Sequence, residues 1–373
     1  MKKIPIAQAI LVQGIAERRA KRKRRKKEKQ KQLRQMRNRI DNTVRRDYKK
    51  WPQLRLPSNL SLTENYDQVT GIISKLRARI GKKKYINFNA IRQVDTAAVL
   101  MLAAELDVNR IKSKTSKMTA HDSDWNPKVR TLLEQMGFLE LLSADSEMPS
   151  RTESSEDQIF IKFRSGNKLN GEITRQMLDS LKRRITVGKL APELWLHIYV
   201  GILESITNTR QHAYDSDGDV ELNLWWISAS VNTQSGEIKV VCYDRGKTIP
   251  KTMHDSKERS PVINFLLQNV IPGASDDKII LTTMENNLSS TKKDYRGQGL
   301  SELLSLIDEN NQGTLRIYSG KGMVEFRRPG KSGENSTFSR ELPRKMRGTL
   351  IEWSIIPSSL TLTTEARQNG TTP

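Results

Sequence analysis

The chain has 373 residues, 36% of them apolar, which gives room for about two domains with packed cores. Its single cysteine, Cys242, excludes an internal disulfide framework and a multi-cysteine metal site, and it points to a reducing, cytoplasmic setting. No apolar run approaches the roughly 18 residues a membrane span needs, so none is expected. The net charge of +22 is concentrated at one end. Residues 1–50 hold 20 Lys+Arg against 4 Asp+Glu, a net of +16, which leaves +6 for the other 323 residues. That basic arm predicts an acidic partner: nucleic acid, a membrane surface or an acidic protein. Aromatic residues are absent from it until Tyr48 and Trp51, so phosphate contact is indicated rather than base stacking.

Taken in order, the arm is densest over Lys21–Lys31, a stretch of good helix formers with little to bury, and Pro52 and Pro57 close it. Residues 55–145 read as a small α/β domain. Lys84–Ala90 alternates as a strand, Asp95 makes a turn, Ala97–Leu106 is an apolar helix, and Lys128–Leu142 is amphipathic. Residues 146–157 are a polar, Ser- and acid-rich linker. A second domain spans 158–357. It opens with a strand at 158–163 and a helical region to Leu190, followed by a helix over 192–212 and strands at 220–228 and 237–244. A variable polar region covers 251–295. After it come a glycine turn with a helix at 296–308 and strands at 314–319, 323–327 and 348–356. The Thr-rich tail, 358–373, is expected to be mobile.

Four segments of the second domain carry candidate chemistry. In the helix, Glu204, Asn208 and His212 fall at i, i+4 and i+8 on one stripe, which is also what the polar face of an ordinary amphipathic helix offers. The carboxylate can accept a proton, the amide oxygen can ligate Mg²⁺, and the imidazole can donate to a phosphate. Asp244 ends a strand, where an acceptor-only carboxylate can read an exocyclic amine. Gly246 follows it and allows close backbone approach to a flat ring. Gly246-Lys247-Thr248 is not the end of a P-loop, because Val241 stands where that motif needs glycine. Arg296-Gly297-Gln298-Gly299 opens a helix, a place where backbone N–H groups favour phosphate. Gly348-Thr349 starts the last strand. His121, His197 and His254 show no metal-ligand spacing.

In this order the four segments resemble the N, G1, G2 and G3 boxes of the GHKL (Bergerat-fold) ATPases. The likeness is greatest to the anti-sigma-factor kinases, whose N box similarly ends in a small residue and an aromatic, here Ala213 and Tyr214. The resemblance implies an α/β sandwich with a mixed sheet and helices on one face, binding ATP and Mg²⁺. By the same resemblance Glu204 is the general base and Asn208 the Mg²⁺ ligand. Asp244 reads adenine, Gly246 lines its pocket, Arg296, Gly297 and Gly299 close on the phosphates, and Thr349 supports the pocket from below. Thr248 departs from the family pattern, which has a second glycine there.

The segment INFNAIRQVDTAAVLMLAAEL, residues 86–106, resembles a STAS domain, the fold of anti-sigma-factor antagonists. The resemblance implies Thr96, just after Asp95, as a phospho-acceptor; the same two residues also suit a plain helix cap. The expected protein is thus a Mg-ATP-dependent switch that acts as a serine/threonine kinase or ATPase, with association into homodimers. An ATPase tied to nucleic acid through residues 1–50 and a non-catalytic ATP-binding module are the competing readings.

Overall fold

The computed structural model describes residues 28, 53–78, 85–113, 122–142, 157–184, 192–214, 223–255, 273–290, 303–305, 307–308, 312–330 and 333–357. The basic arm apart from Glu28, the linker apart from Asp157, the glycine turn at 296–299 and the tail lie outside the described residues. The chain divides into two compact units. The first, Met1–Gln53 with Lys83–Tyr85, contains only Glu28, Gln53 and Tyr85 among the described residues. The second, Leu54–Lys82 with Ile86–Pro373, carries the fold.

Up to residue 142 the elements in chain order are β1 (Gln53–Arg55), β2 (Asn59–Leu60), α1 (Leu62–Arg77), β3 (Tyr85–Asn87), β4 (Gln93–Val94), α2 (Thr96–Ser113), α3 (Pro127–Met136) and α4 (Phe138–Leu142). Asp95 fixes the start of two helices at once. One carboxylate oxygen accepts from the Leu62 N–H at 2.8 Å and the other from the Ala98 N–H at 2.6 Å. Asn126 caps α3, whose end is turned by Gly137 at φ 96°, so the single helix expected over 128–142 is two.

From residue 158 on they are β5 (Gln158–Gly166), α5 (Gly171–Arg184), α6 (Pro192–Asn208) with a π-helical turn at Thr209–Ala213, β6 (Trp225–Asn232), β7 (Ile238–Asp244), α7 (Ile249–Asp255), α8 (Asp276–Ser290), β8 (Gln312–Ser319), β9 (Gly322–Pro329), β10 (Ser336–Glu341) and β11 (Thr349–Ile355). The seven strands form one sheet in the order β10-β9-β8-β11-β7-β6-β5. Two corrections to the expected architecture follow. Every neighbouring pair is antiparallel, so the sheet is not mixed. Nor is it covered on one face only. Ile227, Val240, Cys242, Ile317, Ile351 and Trp353 pack against α5, α6 and α8. The alternate residues Trp226, Val241, Tyr243, Tyr318 and Leu350 share a core with residues 54–142. Strands β6, β7 and β11 are buried along nearly their whole length, as strands covered on both faces must be. The region expected to be polar and variable also contains two helices, α7 and α8, and Ile279, Ile280 and Met284 of α8 are buried. Among the described residues, no helix is long and apolar enough to cross a membrane.

Helix α2 lies on the second face of the sheet, and its polar side chains bond into it. Trp226 Nε1 donates to Asp107 Oδ2 at 3.1 Å. Glu105, fully buried, accepts from the Arg77 guanidinium at 2.5 Å and from Arg245 Nε at 2.9 Å. Breaking a buried pair by neutralising one member costs far more than losing an exposed one. Glu105→Gln is therefore expected to lower unfolding free energy by about 3–5 kcal/mol in urea melts. Glu172→Gln, which breaks an exposed pair with Arg175, is expected to change it by under about 0.5 kcal/mol. Equal effects contradict the arrangement.

Candidate functional site

The ends of β7 and β11 meet the end of α6 at one place. Asp244, the last residue of β7, is buried and belongs to the face covered by α6. Its carboxylate accepts from the Gly246 N–H at 2.8 Å and from the Thr349 N–H, and the Thr209 hydroxyl, which donates to the Ser205 carbonyl at 3.0 Å, lies against it. Burial outweighs these contacts and pushes the carboxyl up to about 7. A strand-end carboxylate so held is half-committed to protein donors and close to its titration point near neutral pH. Thr349 lies beside Asp244, with its hydroxyl in a 2.8 Å hydrogen bond with Ser319.

Glu204 and Asn208 are both half-buried on α6. The Asn208 Nδ2 is buried and has no hydrogen-bond partner among the described residues. An orphaned amide is costly unless something meets it, and π-helical turns such as the one beginning at Thr209 recur at functional sites. His212, within that turn, is exposed, and its carbonyl accepts from Thr252 Oγ1 at 3.3 Å.

Gly246 is required, but for a different reason from the one expected. A Cβ there would sit 2.1 Å from the Ala213 carbonyl oxygen, so the glycine lets the loop after β7 press on the end of the π-helical turn. The Lys247 N–H donates to that same carbonyl at 2.5 Å, and the Arg245 N–H donates to the Tyr214 hydroxyl at 3.1 Å. The helix end and the strand end are thereby one structural piece. Thr248, where the resemblance would have a glycine, is buried and its hydroxyl accepts from the Lys251 N–H at 3.3 Å. It caps α7 with a side-chain hydrogen bond that glycine lacks.

Arg296, Gly297 and Gly299 lie outside the described residues. Thr96 is fully buried between α2 and the sheet, and its hydroxyl donates to Ser230 Oγ at 2.8 Å. A hydroxyl held there is not presented to a nucleotide unless α2 leaves the sheet, so the helix-start role of Asp95 and Thr96 is the one this packing supports. Three participants were missed from the sequence: Thr209, Ser319 and the Glu105–Arg245 pair. Thr209 follows Asn208 directly and is a β-branched polar residue on a mostly apolar helix, which is the only local signal any of them gives. Cys242, one residue from the strand end, is buried, and burial pushes its thiol up to about 12, an inert core position.

A Mg²⁺ here would take the Asn208 amide oxygen, not the unpartnered Nδ2, which is a donor; among the described residues no group of three His, Cys, Asp or Glu is placed to hold a metal. Such a set, one amide with the rest from phosphate and water, suits a magnesium ion carried by a nucleotide. No family model matches this chain, and no curated protein matches it.

The raised Asp244 carboxyl has a consequence for stability. The folded state binds its proton more tightly than the unfolded chain does, so its contribution is greatest below about pH 4 and is lost as pH rises through about 7. The full span is on the order of 4 kcal/mol. Urea melts from pH 5 to pH 8 are expected to show a decline in stability that Asp244→Asn largely removes. An unchanged decline in that variant refutes the assignment.

Proposed function

We propose that the protein binds Mg-ATP at the junction of α6, β7 and β11 and uses it as a switch. The observation that carries this reading is the pairing of a buried strand-end carboxylate, Asp244, with an unpartnered buried amide on the facing helix, Asn208. Asp244 reads the exocyclic amine of adenine. Thr349 and Thr209 hold its carboxylate in place. The unpartnered Asn208 Nδ2 donates to a phosphate oxygen, its amide oxygen is the ligand offered to the magnesium ion, and Glu204, one helical turn earlier, is the group that takes a proton from an attacking hydroxyl or water. The magnesium ion supplies neutralisation of phosphate charge.

The chemical outcome is either hydrolysis or transfer to a hydroxyl on another molecule, since Thr96 in this chain is buried. The non-catalytic version of the reading draws on Thr248, whose side chain stands where related sites use glycine, and on the capping role that fixes it there.

Binding of an amine donor favours ionised Asp244. Nucleotide affinity is therefore expected to rise from pH 6 to about pH 7.5 and then level off, with proton release below pH 7. Calorimetry of Mg-ATP in two buffers of different ionisation enthalpy measures that release directly. Mg-ATP at about 100 times its Kd is expected to stabilise the fold by about 2.7 kcal/mol, seen as a rise in Tm. Asn208→Ala is expected to remove most of the magnesium-dependent part. A Tm unmoved by millimolar Mg-ATP at pH 7.5 overturns the proposal.

A further inference from the structure

On the other side of the loop after β7, a cavity of about 300 Å³ opens between that loop and the segment leading into β11. Five of its lining residues are cations: Arg77, Lys247, Lys251, Lys345 and Arg347; none is a carboxylate. Two carboxylates stand near them. Glu105 is taken by Arg77 and Arg245, and Asp255 lies 3.7 Å from Lys247 and 3.8 Å from Lys251. Lys345 and Arg347 have no ion pair among the described residues.

The cations are held in place rather than left to splay apart. The Leu342 and Met346 N–H groups donate to Lys321 and Gly320 carbonyls at 2.6 and 2.7 Å, which ties the segment to the β8–β9 turn. The Tyr66 and Tyr243 hydroxyls donate to the Arg344 and Arg347 carbonyls at 2.9 and 3.0 Å. Arg347 Nε donates to the Arg245 carbonyl at 3.0 Å. Gly348, at φ 74°, lets this segment touch the loop after β7: a Cβ there would lie 2.0 Å from the Asp244 carbonyl oxygen. Partial burial, then the charges of Arg245 and Arg77, holds the Arg347 guanidinium below its ordinary value. Guanidinium groups do not shed their protons in proteins, so this crowding is relieved by an anion, not by deprotonation.

We infer that this cavity is a binding site for a compact, multiply charged phosphate anion of the size of a diphosphate, separate from the site at Asp244. A cavity of this size sits at the small end of small-molecule sites, and clustered Arg and Lys suit phosphate oxygens geometrically and electrostatically. The inference stands without the nucleotide reading, since it uses none of Glu204, Asn208 or the Asp244 side chain. Its effect on that reading, where both hold, is direct: the loop Arg245–Thr248 walls both places, so an anion here braces the strand end that carries Asp244.

The test is calorimetric titration of the full chain with inorganic pyrophosphate, without magnesium, at about 0.15 M salt. The expected result is one saturable site whose affinity falls at least about tenfold in Lys345→Ala/Arg347→Ala and stays within about twofold of the parent in Asn208→Ala. Both replaced side chains are exposed, and with less cationic crowding the double variant is expected to melt at or above the parent temperature without anion. Unchanged pyrophosphate affinity in the double variant overturns the inference, because binding then belongs to other cations such as those of residues 1–50. An equal loss in Asn208→Ala also overturns it, by moving the anion to the other side of the loop. Loss of Mg-ATP stabilisation with retained pyrophosphate binding leaves this inference standing and removes only the nucleotide reading.

Discussion

The buried carboxylate of Glu105 has to hold two guanidinium groups, one from each half of the fold. Arg77 ends α1, and Arg245 sits between Asp244 and Gly246 in the loop that follows β7. A charge taken fully out of water is tolerable only when it is paired and hydrogen-bonded. Helix α2 therefore cannot slide or lift from the sheet without stranding Glu105, and the loop after β7 cannot relax without stranding Arg245. The other polar links across this layer, Asp107 with Trp226 and Thr96 with Ser230, fix the same register. The segment that resembles a STAS domain acts here as the second cover of a sheet, not as a separate body.

The consequences reach the candidate site by short routes. Arg245 anchors one end of the loop, and the Ala213 carbonyl, which approaches Gly246 too closely for any side chain, anchors its middle. Thr248 caps α7 and fixes the other end. The Asp244 carboxylate is thus positioned by two backbone N–H groups, those of Gly246 and Thr349, with the Thr209 hydroxyl beside it. On its reverse the same loop bounds a cationic cavity. A rigid, shared wall between a carboxylate site and a phosphate-sized cationic site is a plain physical means for one to sense the other.

Much of the second half was legible because its signals are local. The strands at β7, β8, β9 and β11 are short apolar runs bounded by Gly, Asp or Pro, and α6 carries an apolar face at helical spacing. Double coverage of the sheet was also written in the sequence, in Trp225-Trp226 and in Val240 through Tyr243, which do not alternate; the resemblance to a one-faced sandwich overrode that pattern. Helix α8 was hidden because its mean hydropathy is low and its core residues, Ile279, Ile280, Leu281 and Met284 among those described, are few. The edge strand β10, Ser336–Glu341, is mostly polar and exposed and gives no period to read. At the site, Asp244 and Asn208 were named from residue type and spacing, and Thr349 from the resemblance. Thr209, Ser319 and Glu105 were not, because their roles arise from contacts between residues up to 140 positions apart.

The central claim is that a nucleotide seats on Asp244 against a loop braced by Glu105. Hydrogen exchange of the full chain, with and without Mg-ATP, tests it most directly. The account predicts slower exchange at residues 209–214, 244–249 and 349–350 together with the helix from Thr96 to Ser113, since that helix is bonded to the loop through Glu105. Exchange slowed elsewhere in the chain, with these four stretches unchanged at saturating Mg-ATP, contradicts it.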